Sequence, residues 1–261
     1  YKKNDKVIQN LNLDVYAGEI FGYLGHNGAG KTTSLRLVSG ELPFNCPDGS
    51  IEVRKKGGKW VKLGSRSALN EANQLIGVCA QKDLIFNLLT AHDHLVMFCK
   101  LKGFSGEALI QEVERLKKAV SLEDCSHQLV GEFSGGMKRR LGLAMALAGS
   151  PSVLFLDEPT SGMDPTNRRT MWEAIWKAKK EFGCAVVLTT HFMDEADILS
   201  DRIAILSKGK ILTQGTPLFL KMVFGAGYTL KVDGDNFVKA NEIVKKHIPE
   251  YKNDQNDGEN D

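Results

Sequence analysis

Short apolar runs occur along the chain between more polar stretches. Continuous runs of this length are typical of buried strands. The predicted strands are Val7 to Leu13, Ile20 to Leu24, Ile51 to Val53, Ile76 to Cys79, Ser152 to Leu156, Ala185 to Thr189 and Arg202 to Leu206. The later runs alternate with a helical pattern around Met171 and Trp176. We therefore expect a parallel sheet that is covered by helices on both faces.

Two regions have a different pattern. Between Arg54 and Leu63 a polar stretch turns at Gly57 and Gly58, which predicts a hairpin on a small peripheral sheet. After Gln81, apolar residues recur at helical spacing with charged residues between them, and these are Leu109, Ile110, Val113, Leu116 and Val120. This amphipathic pattern predicts a mostly helical subdomain over residues 84 to 148.

Composition limits the classes of function. The chain has 261 residues, of which 42% are hydrophobic and 25% charged, and its formal net charge is +2. A substantial core is expected, as one large or two modest domains. The charge gives no electrostatic reason to expect a nucleic acid partner, and we interpret Lys177, Lys179 and Lys180 as a solvated helix face. No apolar run reaches the roughly 20 residues of a membrane span and no signal peptide is recognisable, so a soluble domain is predicted.

The cysteines and histidines do not form a recognisable metal motif. The five cysteines are scattered and include no C-x-x-C pair, so neither a zinc site nor a disulfide framework is predicted. A reducing, cytosolic environment is favoured instead. His92, Asp93 and His94 are adjacent, but no third ligand follows at a useful spacing, and we interpret the cluster as the start of a helix.

A glycine-rich segment after the second predicted strand carries the strongest chemical signal. It has the pattern G-x-x-x-x-G-K-[ST] and consists of Gly25, His26, Asn27, Gly28, Ala29, Gly30, Lys31, Thr32 and Thr33. Glycines in such a loop let backbone N–H groups point at phosphates, the lysine reaches the β- and γ-phosphates, and the hydroxyl of Thr32 can bind Mg²⁺. A helix that begins here offers its positive end as well. We therefore predict nucleoside triphosphate binding, rather than a glycine-rich surface turn with an exposed lysine.

Two adjacent carboxylates, Asp157 and Glu158, end the apolar run that begins at Ser152. The carboxyl ends of parallel strands are where ligands bind in such sheets. Asp157 is suited to hold Mg²⁺, directly or through water, and Glu158 to polarise the water that attacks the γ-phosphate. The same pattern alone also fits a buried strand with a polar cap, but the phosphate loop makes the catalytic interpretation the better one.

A second candidate anion site precedes the Ala/Leu-rich segment from Leu141 to Leu147. Ser134, Gly135 and Gly136 lie where a helix N-terminus can offer backbone N–H groups. An isolated turn of this kind would mean little. It gains meaning from other residues along the chain, which are Gln81 after a predicted strand, Ser161 to Asp164 after Glu158, and His191 after the run that ends near Thr190.

This set of motifs, in this order, resembles the nucleotide-binding domain of ATP-binding cassette (ABC) transporters over residues 1 to 226. The resemblance implies an α/β fold of the P-loop NTPase class, with a RecA-like mixed sheet, an antiparallel β subdomain and an α-helical signature subdomain. The matching segments are the Walker A loop at Gly25 to Thr32, the Q-loop glutamine Gln81, the signature at Ser134 to Gly136, the Walker B strand at Leu154 to Glu158, the D-loop at Ser161 to Asp164 and the switch histidine His191.

The resemblance also implies roles for individual residues. The catalytic residues would be Lys31, Gln81, Glu158 and His191, and the Mg²⁺ ligands would be Thr32, Gln81 and Asp157. ATP would be bound by the loop from Gly25 to Thr33, by Ser134, Gly135 and Gly136, and by Tyr1, which is similar to the aromatic residue that stacks on adenine in this family.

Some positions depart from the broad family pattern. Phe133 and Met137 stand where Leu and Gln are usual, and Ala80 stands where Pro is common. The first departure points to the A subfamily, whose members mostly move lipids. The segments from Phe133 to Arg140 and from His191 to Asp197 are similar to that subfamily, and the second is more similar to the first of its two cassettes.

The resemblance implies partners. Because the Walker loop and the signature of one chain would lie too far apart, two cassettes would meet head to tail, each signature covering the other's ATP. The membrane-embedded helices of the same transporter would contact the region near Gln81 and residues 82 to 87, which places the domain on the cytosolic face of a membrane. Two alternatives remain open: a soluble ABC ATPase without membrane domains, and a non-hydrolysing regulatory cassette, which the presence of Glu158 and His191 disfavours.

Residues 227 to 261 are predicted to begin a C-terminal regulatory appendage. A strand is expected at Tyr228 to Val232, followed by a helix with Phe237, Ala240, Val244 and Ile248 at spacings of three and four. A small regulatory domain follows each cassette in the A subfamily; the alternative is an appendage that packs on the cassette alone. The acidic run from Asn253 to Asp261 is predicted to be a disordered linker, and we expect the chain to be an excerpt of a longer polypeptide.

Overall fold

The computed structural model describes residues 7–42, 49–55, 58–63, 71, 74–82, 84–225, 243, 246 and 247. Its strands are β1 (Ile20–Leu24), β2 (Ile51–Arg54), β3 (Trp60–Leu63), β4 (Ile76–Cys79), β5 (Val153–Asp157), β6 (Ala185–Thr190), β7 (Arg202–Ser207) and β8 (Lys210–Gly215). Its helices are α1 (Lys31–Val38), α2 (Ala91–Leu101), α3 (Gly106–Ala119), α4 (Gly135–Leu147), α5 (Pro165–Phe182), α6 (Met193–Leu199) and α7 (Pro217–Phe224), with a 3-10 turn at Val130–Glu132. Tyr1, the strand predicted at Tyr228 to Val232 and the acidic run from Asn253 to Asp261 lie outside the described residues. Of the helix predicted around Phe237 to Ile248, residues 243, 246 and 247 are described, and these are helical.

The main sheet has the strand order β4-β5-β6-β1-β7-β8. All neighbours are parallel except β7 and β8, which pair antiparallel. β2 and β3 form a separate antiparallel pair, in which Ile51 faces Leu63 and Arg54 faces Trp60. The predicted mixed P-loop sheet and its small antiparallel companion are therefore confirmed. The order also leaves one strand, β6, between β1 and β5, so that the ends of these three strands lie side by side.

Residues along the central strands alternate between two apolar layers. Leu154 and Leu156 of β5 belong to a core that includes residues of α2 to α5, whereas Phe155 between them packs with Leu35 of α1. Val187 of β6 lies in the same layer as Phe155. Side chains of successive strand residues point to opposite faces, so a continuous apolar run requires cover on both sides. This explains why the predicted parallel strands have no polar face.

The region predicted to be helical contains α2, α3, the 3-10 turn and α4. Thr90 and Asp93 form a reciprocal capping box at the start of α2, as the helix-start interpretation requires. His94 is fully buried there and accepts a hydrogen bond from the N–H of Phe86 at 3.0 Å.

Among the described residues, no helix combines the length and apolar character needed to cross a bilayer.

The helix α4 packs directly against β4. A Cβ atom placed on Gly77 of β4 would lie 2.0 Å from the carbonyl oxygen of Ala146 in α4. No side chain fits at that distance, so glycine is needed for the backbone of the helix to approach the strand.

The predicted strand from Val7 to Leu13 is wrong, because these residues have no regular structure. Asn10 adopts a positive φ of 49°, which interrupts an extended backbone. The segment still buries apolar groups, since Leu11 and Leu13 pack against the cluster around Phe21. The apolar residues of Val7 to Leu13 are therefore explained by packing against the core and not by pairing in a sheet.

Candidate functional site

The phosphate loop connects β1 to α1, and its glycines have the backbone conformations that the motif requires. Gly28 and Gly30 have φ values of 81° and 110°, which side chains other than hydrogen rarely allow. A Cβ atom on Gly25 would lie 2.6 Å from the carbonyl oxygen of Leu206. Lys31 follows at the first position of α1, so backbone N–H groups at the N-terminus of this helix lie beside the loop.

The ammonium of Lys31 is buried, with 5% of its surface exposed. It donates hydrogen bonds to the carbonyl oxygens of Gly25 at 2.7 Å and His26 at 3.3 Å. It also lies 3.5 Å from Oε1 of Glu158. A buried charge requires such partners. The loop therefore holds a cation at its centre, next to a carboxylate from a different part of the chain.

Asp157 ends β5 and is surrounded by hydroxyl groups. Its Oδ1 accepts hydrogen bonds from Thr32 Oγ1 at 3.2 Å and from Thr189 Oγ1 at 2.7 Å. Thr189 is the residue opposite Asp157 in the register of β5 and β6. Sequence reasoning assigned no site role to Thr189, although a threonine at the end of an apolar run is a usable signal.

The backbone of Glu158 is strained. Its φ is 47°, a left-handed value that is unfavourable for a residue with a side chain. Its N–H donates to both the carbonyl and the hydroxyl oxygen of Thr189, at 3.2 and 3.0 Å. Such outliers persist where the surroundings fix them, and they turn the side chain away from the strand direction.

The carboxylate of Glu158 is the point at which three predicted site residues meet. Oε1 lies 3.5 Å from Lys31 Nζ and 3.4 Å from His191 Nδ1, and Oε2 accepts a hydrogen bond from Gln81 Nε2 at 3.1 Å. The Glu158 side chain is 10% exposed. Residues from β1–α1, the end of β4, the end of β5 and the end of β6 are thus gathered around one carboxylate.

Arg139 is a site neighbour that sequence reasoning missed. It is buried within α4 and donates hydrogen bonds to the carbonyl oxygens of Ala80 at 2.9 Å and Glu158 at 3.3 Å. It connects the helix after the signature with the residue before Gln81 and with the strained turn. An arginine within an Ala/Leu-rich helix could have signalled such a buried contact.

The signature residues begin α4. Ser134 is its N-cap and accepts a hydrogen bond from the N–H of Met137 at 3.2 Å. A Cβ atom on Gly136 would lie 2.6 Å from Oδ1 of Asn167, whereas a Cβ atom on Gly135 would meet no described atom within 4 Å apart from those of its own helical turn. A cleft of about 420 Å³ opens here and is lined by Gln81, Ser134, Gly135, Gly136, Arg139, Ser161, Gly162, Met163, Asp164 and Asn167. Gln81 therefore borders both this cleft and the Glu158 cluster.

The D-loop ends in a tightly held carboxylate. Asp164 caps α5 and accepts hydrogen bonds from the N–H groups of Thr166 and Asn167, each at 3.0 Å. The Asn167 side-chain amide donates to it at 2.6 Å. These bonds, first of all that from the backbone of Asn167, lower the pKa of the Asp164 carboxyl because they favour its charged form.

The predicted residues therefore divide into groups. Lys31, Thr32, Gln81, Asp157, Glu158 and His191 come together around the two strand-end carboxylates. Ser134, Gly135 and Gly136 line the neighbouring cleft. His26, Asn27 and Gly28 form the exposed rim of the loop, Ala29 is buried, and Thr33 lies in the first turn of α1. Tyr1 lies outside the described residues.

The sequence is similar to known proteins over most of its length. A family model described as "ABC transporter" matches residues 8–161. Human "Phospholipid-transporting ATPase ABCA3" is 38% identical over 250 residues, which are 95% of this chain and 14% of that protein. Rat "ATP-binding cassette sub-family A member 2" is 39% identical over 87% of this chain and 9% of that protein. Mouse "Retinal-specific phospholipid-transporting ATPase ABCA4" is 40% identical over 85% of this chain and 9% of that protein.

Solved structures agree with the fold. The cassette MJ0796, described as a bacterial ABC transporter cassette and solved as a dimer, gives a TM-score of 0.69 at 25% identity, over 83% of this chain and 94% of that chain. CbiO1 from Clostridium perfringens gives a TM-score of 0.72 at 22% identity, over 95% of this chain and 92% of that chain. The second likeness concerns the fold alone.

The curated relatives are much longer, since this chain spans only 9 to 14% of the three described above. Their activities and substrates are therefore properties of those whole proteins. The comparisons nevertheless establish the family. The family model covers more than half of the chain, and the relatives are of the A subfamily. The chain belongs to the ABC transporter family.

Proposed function

We propose that this chain binds ATP with Mg²⁺ and hydrolyses it, and that it powers phospholipid transport as a cassette on the cytosolic face of a membrane. The observation that carries the proposal is the meeting of Lys31, Gln81 and His191 at the Glu158 carboxylate. A phosphate-binding loop, a metal-suited hydroxyl and carboxylate, and a general base thus lie at one edge of the sheet.

Lys31 and the N-terminus of α1 account for binding. The backbone N–H groups of the loop and the helix end favour an anion, and Lys31 adds a full positive charge. A triphosphate bound here would offer the ammonium a negatively charged acceptor in place of the neutral loop carbonyl oxygens, which is the stronger contact.

The residues present fit a magnesium ion. Thr32 Oγ1 and Asp157 Oδ1 are hard oxygen donors 3.2 Å apart, and the described residues contain no cluster of three or more His, Cys, Asp or Glu that would form an all-protein cage. Mg²⁺ typically uses one or two carboxylates together with substrate phosphates and waters. When bound, the ion neutralises charge that develops on the phosphates. Gln81, which donates a hydrogen bond to Glu158, would be the third protein ligand of the ion.

Glu158 acts as the general base for hydrolysis. The water oxygen attacks the γ-phosphorus, the bond from that phosphorus to the bridging oxygen of ADP breaks, and the water proton passes to the Glu158 carboxylate. Gln81 and His191 hold this carboxylate from two sides. With Nδ1 of His191 directed at Glu158, the other ring nitrogen is the one we assign to the γ-phosphate.

A second cassette completes each ATP site. Ser134 and the first N–H groups of α4 lie at a helix N-terminus, where they would bind the triphosphate held by the partner's loop. The dimeric bacterial cassette supports this arrangement, as does a further structure of it described as a post-hydrolysis state bound to ADP and Pi. The names of ABCA3 and ABCA4 support phospholipid as the transported substrate.

The decisive variant is Glu158→Gln. It keeps the size of the side chain and its amide can still contact Gln81, but it cannot accept the water proton. We expect ATP affinity to stay within about threefold, and turnover to fall roughly 10²- to 10⁴-fold, the usual contribution of a general base. Equilibrium binding of ATP and steady-state phosphate release are measured on the same preparation.

Glu173→Gln is the matched control, because Glu173 is an exposed glutamate on α5. Its turnover should equal that of the unaltered protein. Unchanged phosphate release by Glu158→Gln would remove Glu158 from its role and with it the proposed mechanism.

A further inference from the structure

The imidazole of His191 is packed against its neighbour Phe192. The two ring centroids lie 4.1 Å apart with an angle of 36° between the ring planes. The N–H of Phe192 donates to Thr190 Oγ1 at 3.0 Å, which anchors the backbone at the end of β6. The phenyl ring is therefore a fixed surface beside a histidine that is itself one-third exposed.

The same phenyl ring is contacted by a cation. The guanidinium carbon of Arg168 lies 4.4 Å from the centroid of Phe192. Nε of Arg168 is buried and has no hydrogen-bond partner within the described part of the chain. A guanidinium lacking that bond and lying over an aromatic face is held chiefly by the cation–π and stacking interaction.

Arg168 comes from the first part of α5, where its N–H bonds the carbonyl oxygen of Asp164 at 3.0 Å. The residue before it, Asn167, is the one whose side chain lies against Gly136 of the signature. One helical turn thus contacts the signature through Asn167 and the neighbour of His191 through Arg168. A stack of Arg168, Phe192 and His191 then leads to the carboxylate of Glu158, 3.4 Å from the imidazole.

We propose that Arg168 and Phe192 are positioning residues for hydrolysis, which orient the His191 imidazole toward Glu158. The inference rests on the proposed function and adds two residues to it, for neither of which the motifs give a role in hydrolysis. Without the cation the phenyl ring loses an attractive partner, and without the ring the imidazole loses the surface that restricts its rotation. Both changes make the arrangement of His191 and Glu158 less populated, while the phosphate loop is untouched.

The first test separates turnover from ATP binding. We expect Arg168→Ala and Phe192→Leu each to lower kcat roughly five- to tenfold, as the loss of one cation–π contact or ring surface implies. The KM for ATP should change by less than about twofold, because these residues do not bind the substrate. Phe192→Tyr keeps the aromatic face and should retain nearly full turnover, and Arg168→Lys should recover part of it.

Arg169→Ala is the matched control. Arg169 is the next residue of α5, has the same charge and is exposed. Its kcat should equal that of the unaltered protein. If Arg168→Ala and Arg169→Ala lower kcat equally, the effect is one of helix charge and the stack has no role.

The second test asks whether Arg168 acts through His191. In a His191→Ala background, adding Arg168→Ala should have less than about a twofold further effect, because the group being oriented is already gone. An equal loss in both backgrounds would show that Arg168 supports the fold in general, and would overturn the inference.

A third measurement does not depend on turnover. The imidazole C–H resonances of His191, assigned by their loss in His191→Ala, should be shifted upfield by the phenyl ring and should move in Phe192→Leu and Arg168→Ala but not in Arg169→Ala. If the unaltered protein releases no phosphate, the proposed function fails; if the resonances show no upfield shift, the stack fails. The two failures are therefore distinguishable.

Discussion

At the scale of single residues, the site depends on two opposite charges, Lys31 and Glu158, that stabilise each other in a buried environment. Lys31 and Glu158 are both largely buried, and each would be costly to bury alone. The carbonyl oxygens of the loop and the amide of Gln81 supply the remaining hydrogen bonds. Fixed polar partners of this kind need little reorganisation when a substrate develops charge, which is the property a catalytic site uses.

Removing the Lys31 charge should weaken nucleotide binding itself. We expect Lys31→Ala to lower ATP affinity by about 10- to 100-fold, since a hydrogen bond to a charged group is worth roughly 1.5–3 kcal/mol. Binding is measured by titration with ATP and Mg²⁺. Arg36→Ala, at an exposed position of the same helix, is the control and should bind ATP normally. Equal affinities for Lys31→Ala and the control would contradict the phosphate-loop assignment.

The residues that belong to a recognisable motif can be predicted from the sequence, whereas two residues that contact those motifs only through the fold were not predicted. The loop from Gly25 to Thr33 and the Asp157–Glu158 pair were recognised from local pattern, and the structure brings them together. The contacts of Thr189 with Asp157 and of Arg139 with Glu158 join segments far apart in the chain. The sequence marks each of them only weakly, by a threonine at the end of an apolar run and an arginine in an Ala/Leu-rich helix, and it does not show which residue each one contacts.

At the scale of elements, the residues at the start of α5 have two roles. They cap the helix, and they line the cleft beside the signature. Asp164 satisfies two N–H groups of the first turn that have no partner within the helix. Asn167, one of those donors, also lies beneath Gly136. The capping bonds of one helix therefore fix the surface on which the start of another helix rests.

The cap should make stability depend on pH in a defined direction. Because the folded-state pKa of Asp164 is lowered, its stabilisation is present above the unfolded-state pKa of about 3.9 and is lost as pH falls through the folded value. Asp164→Ala should therefore unfold at a lower urea concentration at neutral pH, and the difference from the unaltered protein should shrink in acid. Asp164→Asn keeps capping oxygen and should lose only the pH dependence. A difference that grows on acidification would refute this account of the cap.

Element types were largely predictable and their exceptions have physical reasons. Strands buried on both faces gave continuous apolar runs, which is why β1, β5, β6 and β7 were recognised. Residues Lys210–Gly215 of β8 alternate between exposed and half-buried and carry little apolar signal, so no run marked this antiparallel edge strand. Val7 to Leu13 shows the opposite case, in which apolar packing occurs without strand pairing.

At the scale of the whole molecule, the open surface around Gly135 is where a second cassette is expected. Outside its own helical turn, a Cβ atom on Gly135 would meet no atom of the described residues within 4 Å. An acidic residue in the first turn is also compatible with the helix, because it complements the positive N-terminal end. A negative charge there would nevertheless face the triphosphate held by the partner.

Gly135→Asp should therefore prevent ATP-dependent dimerisation without unfolding the chain. In a Glu158→Gln background, which we expect to retain ATP, light scattering should detect dimers with ATP and Mg²⁺. Adding Gly135→Asp should leave monomers with unchanged thermal stability, whereas Gly135→Ala should still dimerise. Dimers that persist with the aspartate would exclude a nucleotide at this surface.

The backbones of β4 and α4 approach each other closely at Gly77 and Ala146, so we expect the strand and the helix to move as one unit. Gln81 lies just beyond the end of β4, and Ser134 caps the start of α4. No side chain separates the strand from the helix at this point, so their backbones are in direct contact. We therefore expect a force applied to residues 82 to 87 from outside the domain to move Gln81 and Ser134 together.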